Sequence, residues 1–516
     1  MGSRYIVTIP LTKRTEFLFF AAVLLYLLLI VLLRGPYNAE QSLSPAALIS
    51  FTAVPVLAGA MTRNKLWLAL GVLVAAMVPF QKSIAVTFIL GVVLLFPVVM
   101  LSARRRSFID APPVRMFALF SLYLLFPVLL HAGSGTDIWS FPLLAATMLA
   151  VPLFWLLLFY GLPWLPAELR SFGRLVALLL AAQFLVVALY PLLIGKPQLY
   201  QAAPNGLLKG IQQVIHLPLS LPYGNPDWNR GSFVDAHQAG LLLAIAAALP
   251  CFMAFYTRRI SLALAGLLLL YLFGMTETAH ATAGLAVAVL ISIGAVAASK
   301  ATSRIPGIAV FSVVLLAPFA LAYYVYAAGP AWMTETKKAI YYRAASTKIA
   351  GDPVALLFGH GPAAFGSRAG NKRLPEQYHA LEYAFPQFVP RSVHPAYADV
   401  LEQAQRGKMG STAEIHVSGL VALVGEGGLT GSLLFSFFLW TLYRDKLRAM
   451  QQPSPPATRA LAATAIFAMS FMACALVFRQ YLEYPQVMGF VWLVMLAPVK
   501  TKITGYDLHG SDTNQI

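Results

Sequence analysis

Three short stretches of the chain carry side chains able to do chemistry, and each stands where a polar segment enters an apolar one. The first is Trp228-Asn-Arg-Gly-Ser-Phe-Val-Asp-Ala-His237. Arg230 offers a planar fork of donors suited to phosphate or carboxylate, and Asp235 suits a helix N-cap. The alternative for Arg230 is a membrane anchor, its stem along apolar surface and its head in water. The second stretch holds Arg343, followed by Phe358-Gly-His-Gly-Pro-Ala-Ala-Phe-Gly366. Its glycines permit a tight turn whose N–H groups can cradle an anion, and His360 is either solvent-exposed or functional. The third is Glu414-Ile-His416-Val-Ser-Gly-Leu-Val-Ala-Leu-Val-Gly-Glu-Gly-Gly-Leu-Thr-Gly431. His416 stands at the mouth of an apolar helix and can accept a proton near neutral pH, with Glu414 close by. Gly425, Gly427, Gly428 and Gly431 are too many for an undistorted helix and imply close approach or a local break. Glu426 is a carboxylate within an apolar span, where a charge costs about 2.5–3.5 kcal/mol on insertion scales.

Metal and nucleotide chemistry find little support. The chain has no Asp-x-Asp, His-Glu-x-x-His or Cys-x-x-Cys, and no Gly-x-x-x-x-Gly-Lys loop. Neither a metal nor a cofactor is therefore expected. Cys251 and Cys474 both lie in apolar runs, so no disulfide framework exists.

The elements that must position these residues follow from composition. Of 516 residues 59% are hydrophobic and 11% charged, against about 25% charged in a soluble domain. This is the profile of an all-α, polytopic membrane bundle, and it excludes a soluble enzyme or a disordered chain. Apolar runs long enough to cross a bilayer fall at roughly 17–33, 45–61, 66–80, 84–101, 114–131, 141–160, 174–194, 236–256, 260–275, 283–298, 306–327, 415–442, 460–478 and 486–499, about fourteen in all.

The net charge of +17 divides along the topology. Arg63 and Lys65, Arg104 to Arg106, Arg170 and Arg174, Arg258 and Arg259, Lys300 and Arg304, and Arg444 to Arg459 fall on alternate loops. By the positive-inside rule both termini are cytoplasmic, and nucleic-acid binding need not be invoked. The chain then divides into N-terminal helices (1–194), an outer loop (195–235), central helices (236–327), a large outer loop (328–414), C-terminal helices (415–499) and a tail (500–516). The large loop holds ten Lys and Arg against seven Asp and Glu, a mild excess suited to an anionic partner. Within it Ala331–Ala350 reads as a helix along the membrane boundary, with Trp332, Ile340, Tyr341 and Tyr342 as interfacial types and Asp352-Pro353 as its stop. The proline-bearing segment after 443 reads as a flexible linker.

In order and setting these stretches resemble the bacterial O-antigen ligase and O-antigen polymerase family. The resemblance covers roughly 228–435 and rests on Arg230 in NRGSFVDAHQAG, Arg343 in YYRAASTKI before LFGHGPAAFG, and His416 in IHVSGLVALVGEGGLTG. Two departures stand out: Val417 replaces the family's usual Asn, and His280 lies where many members carry Ser-Arg. The resemblance implies a GT-C-like bundle in the bacterial inner membrane with a periplasmic active site. It implies an inverting, metal-independent glycosyltransferase drawing on an undecaprenyl-diphosphate-linked glycan donor. Arg230 and Arg343 would hold the diphosphate and His416 would be the base. Glu414, His360, Asp235 and Glu426 would be acceptor-side or supporting residues.

The acceptor stays open. A polymerase adds the glycan to another carrier-linked repeat unit of O-antigen or exopolysaccharide, a ligase transfers it to lipid A–core, and a third branch glycosylates proteins. The long outer loop and many spans favour polymerisation by analogy, with a chain-length regulator protein as a further partner. A flippase of lipid-linked glycan is the alternative from another class, and it would show two similar halves around a charged cavity.

Overall fold

The computed structural model describes residues 12–34, 45–78, 81–131, 144–197, 200, 233, 236–276, 279–301, 303, 305–328, 334–362, 364–365, 395–405, 418–479, 482 and 484–498. Among these the chain is helical, without a strand. Its first helices are α1 (Lys13–Arg34), α2 (Pro45–Met61), α3 (Lys65–Ala76), α4 (Gln81–Met100), α5 (Arg105–Asp110), α6 (Pro112–Tyr123), α7 (Leu125–Leu130), α8 (Ala150–Leu156) and α9 (Pro166–Leu193). There follow α10 (Ala236–Thr257), α11 (Ile260–Gly274), α12 (Ala279–Ala298) and α13 (Ile305–Tyr326). Then come α14 (Lys337–Ala350), α15 (Pro353–Phe358), α16 (Pro395–Gln405), α17 (Gly419–Gln451), α18 (Pro456–Ala475) and α19 (Pro485–Leu496).

Eight of the described helices are long and apolar enough to cross a bilayer: α1, the joined α6 and α7, α9, α10, α12, α13, α17 and α18. Six more apolar stretches, Ser50–Met61, Lys65–Ala76, Thr87–Met100, Ala150–Gly161, Ile260–Gly274 and Gln486–Leu496, are shorter. Among the described residues, the roughly fourteen expected apolar runs thus appear as eight helices of full spanning length and six shorter ones, in a multi-pass membrane fold. The joint between α6 and α7 has a local cause. Pro127 has no N–H to return to the carbonyl of Tyr123 four residues back, so the helix is interrupted there.

Helix α18 is the hub, packing against α10, α12, α13, α17 and α19. Its alanines (460, 462, 463, 465, 468 and 475) are fully or almost fully buried, and such small side chains let neighbouring backbones come close. The first half of the bundle joins it through α4, α8 and α19. Towards one end, α14 packs against α16, α15, α17 and α13.

Three expectations about elements change. Helix α17 does not stop near 442. It runs to Gln451 because Lys446, Leu447, Ala449 and Met450 are buried, so the expected linker shrinks to 452–455 before Pro456 opens α18. Lys446 is accommodated by donating to the carbonyl of Ala497 at the C-terminus of α19, where a cation is favoured. Helix α9 starts at Pro166, eight residues early, with Glu168 accepting from the Leu165 amide. The boundary helix begins at Lys337, capped by Thr336, and its Tyr341 and Tyr342 are buried in the fold instead of lying along a surface.

Candidate functional site

Helix α17 breaks at Gly428 (φ 64°, ψ −172°), a conformation essentially reserved for glycine. A break leaves the preceding carbonyls without their helical partners, and here the Gly-His-Gly turn after α15 supplies them. His360 N donates to Gly425 O (2.8 Å) and Gly361 N to Glu426 O (3.1 Å). The Tyr123 hydroxyl, from α6, donates to Gly427 O (3.0 Å) and to Phe358 O (3.1 Å). The turn reaches that deep because Gly359 (φ 79°) and Gly361 (φ 95°) both take the left-handed region. A side chain on Gly359 would run into the Glu426 carbonyl, and one on Gly425 into the Phe365 ring. The two glycine-rich motifs of the sequence are therefore one structural unit.

The Glu426 carboxylate is buried and accepts from Phe365 N (3.2 Å). His360 is buried too, its ring stacked on Phe365 (5.3 Å, 8°) with the His131 ring 5.9 Å away. His131 Nε2 lies 2.9 Å from Gly359 O. Of the two roles open to His360 from the sequence, solvent-exposed or functional, the solvent-exposed one is excluded. From Phe365 an aromatic row continues through Tyr397, Tyr341, Tyr342 and Tyr326. Burial first, then Tyr397, Tyr342 and Glu426, hold the Tyr341 hydroxyl well above its ordinary pKa.

Helix α14 turns a different face outward. Arg343 is exposed, donates to Thr334 O (2.9 Å), and borders an open groove of about 810 Å³ with Thr347, Lys348, Asp352 and Gln403. Lys348 Nζ pairs with Asp399 Oδ2 at 2.8 Å. Both partners are solvent-exposed, so the pair adds little stability. Asp352 follows α14 and caps α15 through the amides of Val354 and Ala355 (both 3.0 Å). The Ala355 amide holds its carboxyl below the usual range, against a smaller opposing effect of burial.

Arg230, Asp235, Glu414 and His416 lie outside the described residues. The residues beside them are described. Ser418, two links past His416, is fully buried, caps α17 through Val421 N (3.3 Å) and donates to Leu476 O (2.9 Å). Its hydroxyl also meets that of Tyr342, the neighbour of Arg343, and Tyr342 donates to Val477 O. His237, at the start of α10, lies within electrostatic range of Lys338 and Arg479. Neither the Tyr342–Ser418 link nor the Lys338–Arg479 pair is expected from the sequence. Only the Ser418 cap has a local signal, a serine immediately before an apolar helix.

Among the described residues no group of three His, Cys, Asp or Glu is placed to hold a metal. Comparison with protein-family models, curated proteins and solved structures finds no match for this chain.

Proposed function

We propose that the chain is a membrane glycosyltransferase that moves glycan from an undecaprenyl-diphosphate carrier to an acceptor hydroxyl at the periplasmic face, polymerising carrier-linked repeat units. One observation supports this above the others. The segments bearing the three stretches first singled out meet at the α14 end of the bundle. Tyr342 beside Arg343 bonds to Ser418 near His416, the turn after Arg343 seats in the α17 break, and His237 of the first stretch approaches Lys338 of α14.

The chemistry follows from residue type. The leaving diphosphate gains charge as the anomeric bond breaks, and the forked donors of Arg230 and Arg343 stabilise it. His416 takes the acceptor proton as the new bond forms on the opposite face, giving inversion. The test is purified full-length protein with carrier-linked repeat unit and no added acceptor. A ladder of products is expected. His416→Ala should lose about 10²–10⁴-fold in rate, and Arg343→Lys most of its activity, because a lysine does not reproduce the fork. His379→Ala and His394→Ala serve as controls. Full transfer by His416→Ala, or no product from the wild type, overturns the proposal.

A further inference from the structure

Arg343 stands on a face of α14 whose other polar groups have no part in the chemistry proposed above. Ile340, Arg343, Thr347 and Gly351 follow one another three or four residues apart, so they share one side of the helix. That side is one wall of the open groove of about 810 Å³, to which Gln403 of α16 and Asp352 add the remainder. On the buried side of the same two helices, Tyr341 and Tyr397 pack with ring centroids 6.3 Å apart. At the surface, Lys348 of α14 pairs with Asp399 of α16. The groove therefore has fixed walls. From Ile340 to Gly351 it follows α14 for roughly 16 Å at about 1.5 Å per residue, and its volume is of the size that takes a small organic ligand.

The chemistry of the lining narrows the choice of ligand. Among the described residues the Thr347 hydroxyl and the Gln403 side-chain amide have no hydrogen-bond partner. Asp352 uses only Oδ1 to cap α15, which leaves Oδ2 to accept. The available groups are thus a hydroxyl and an amide that can both donate and accept, and a carboxylate oxygen that accepts. A phosphate calls for donors alone, whereas each hydroxyl of a sugar both donates and accepts. Charge points the same way. The cations Arg343 and Lys348 are matched by the carboxylates Asp352 and Asp399. With Arg343 on the donor diphosphate and Lys348 paired, the charge left over is the Asp352 carboxylate, which disfavours an acidic sugar.

We propose that Thr347, Gln403 and Asp352 form a subsite for an uncharged sugar, the one joined to the diphosphate that Arg343 holds. The inference rests on the proposed function and adds to it the residues that select the sugar. Thr347 lies one helical turn from Arg343, about 5–6 Å along the same face. A ring attached to a phosphate on Arg343 therefore reaches Thr347, and its further hydroxyls meet Gln403 and Asp352 Oδ2.

The test measures binding to full-length protein in detergent, with four probes: undecaprenyl diphosphate alone, or carrying galactose, N-acetylglucosamine or glucuronic acid. Wild type should bind at least one neutral-sugar form about tenfold more tightly than the bare carrier, and the glucuronic acid form no more tightly than the bare one. Thr347→Val with Gln403→Leu should erase the gain, about fivefold for each hydrogen bond lost, while affinity for the bare carrier is kept. Arg343→Ala should weaken binding of all four probes. Thr347→Ser, which keeps the hydroxyl, should retain the gain. Thr347 and Gln403 are both exposed, and thermal midpoints identify a variant that fails to fold. The comparison of probes in the wild type decides the matter even then. No gain from either neutral sugar, an equal gain from glucuronic acid, or a gain that persists in the folded double variant overturns the inference. Sugar-dependent binding through Thr347 and Gln403 without glycan transfer would instead overturn the proposed function. Transfer by the double variant with an unchanged choice of sugar would overturn only the subsite.

Discussion

Gly428→Ala tests whether the break in α17 is what seats the Gly-His-Gly turn. Suppose first that the break persists. An alanine at φ 64°, ψ −172° carries strain of about 1–3 kcal/mol. Its Cβ would also stand 2.5 Å from both Gly359 N and Leu357 O, backbone atoms that cannot rotate away. Suppose instead that the helix straightens. Alanine then gains about 1 kcal/mol in propensity, but the turn is expelled. Expulsion loses the bonds from His360 N, Gly361 N and Phe365 N, about 1 kcal/mol each, together with burial of the Phe365 ring, about 1.5–3 kcal/mol. Either route costs on the order of 3 kcal/mol by these increments.

Hydrogen exchange reads this directly, because those three amides are the ones that the docking protects. About 3 kcal/mol corresponds to roughly 10²-fold faster exchange across 358–365. Gly427→Ala is the control. A Cβ there would meet only Leu124 Cδ2, at an ordinary 3.8 Å, so protection should be kept. Equal exchange in the two variants, with equal thermal midpoints, would refute the idea that the break and the turn form one unit.

Two further substitutions probe the supports around it. Tyr342→Phe removes the hydroxyl shared with Ser418 and Val477 and should cost about 1–2 kcal/mol in thermal unfolding, with glycan transfer falling if Arg343 and His416 act together. Asp352→Ala removes the α15 cap and should cost about 1 kcal/mol, whereas Asp352→Asn should cost much less. Because the folded carboxyl is held below its ordinary pKa of 3.8, its contribution is complete above that value and is lost as pH falls through the lower, folded one. The gap in thermal midpoint between wild type and Asp352→Ala should therefore be constant near neutrality and narrow in acid, by the part of the cap that depends on the charge. A gap that does not change with pH would show that the charge plays no part.

The apolar helices are legible from hydropathy, but their ends are less so. Residues 444–446 are Arg-Asp-Lys, which ends an apolar run although the helix continues. What continues it is a buried face, and periodicity shows that face where average hydropathy does not. Tyr341 and Tyr342 mislead for another reason. An aromatic at a membrane boundary and one in a protein core are the same residue type, and only the partners Tyr397 and Ser418 distinguish the two roles. Lys338 and Arg479 each read as an ordinary loop charge because 140 residues separate Lys338 from Phe478, the neighbour of Arg479 that it bonds.

The glycines are the most instructive case. Their number in 425–431 points to a break or a close approach, and α17 has both. The sequence is silent on what fills the break, because the answer lies in a different motif. A broken helix needs donors for its freed carbonyls, and a left-handed Gly-x-Gly turn presents consecutive N–H groups that need acceptors. Read singly, each motif looks like a site waiting for an outside ligand. Joined, His360 N and Gly361 N are taken up by Gly425 O and Glu426 O, so the turn cannot also cradle an anion with those two amides. Under the proposed function the donor diphosphate would then be met by side chains such as the Arg343 fork, and not by those two amides.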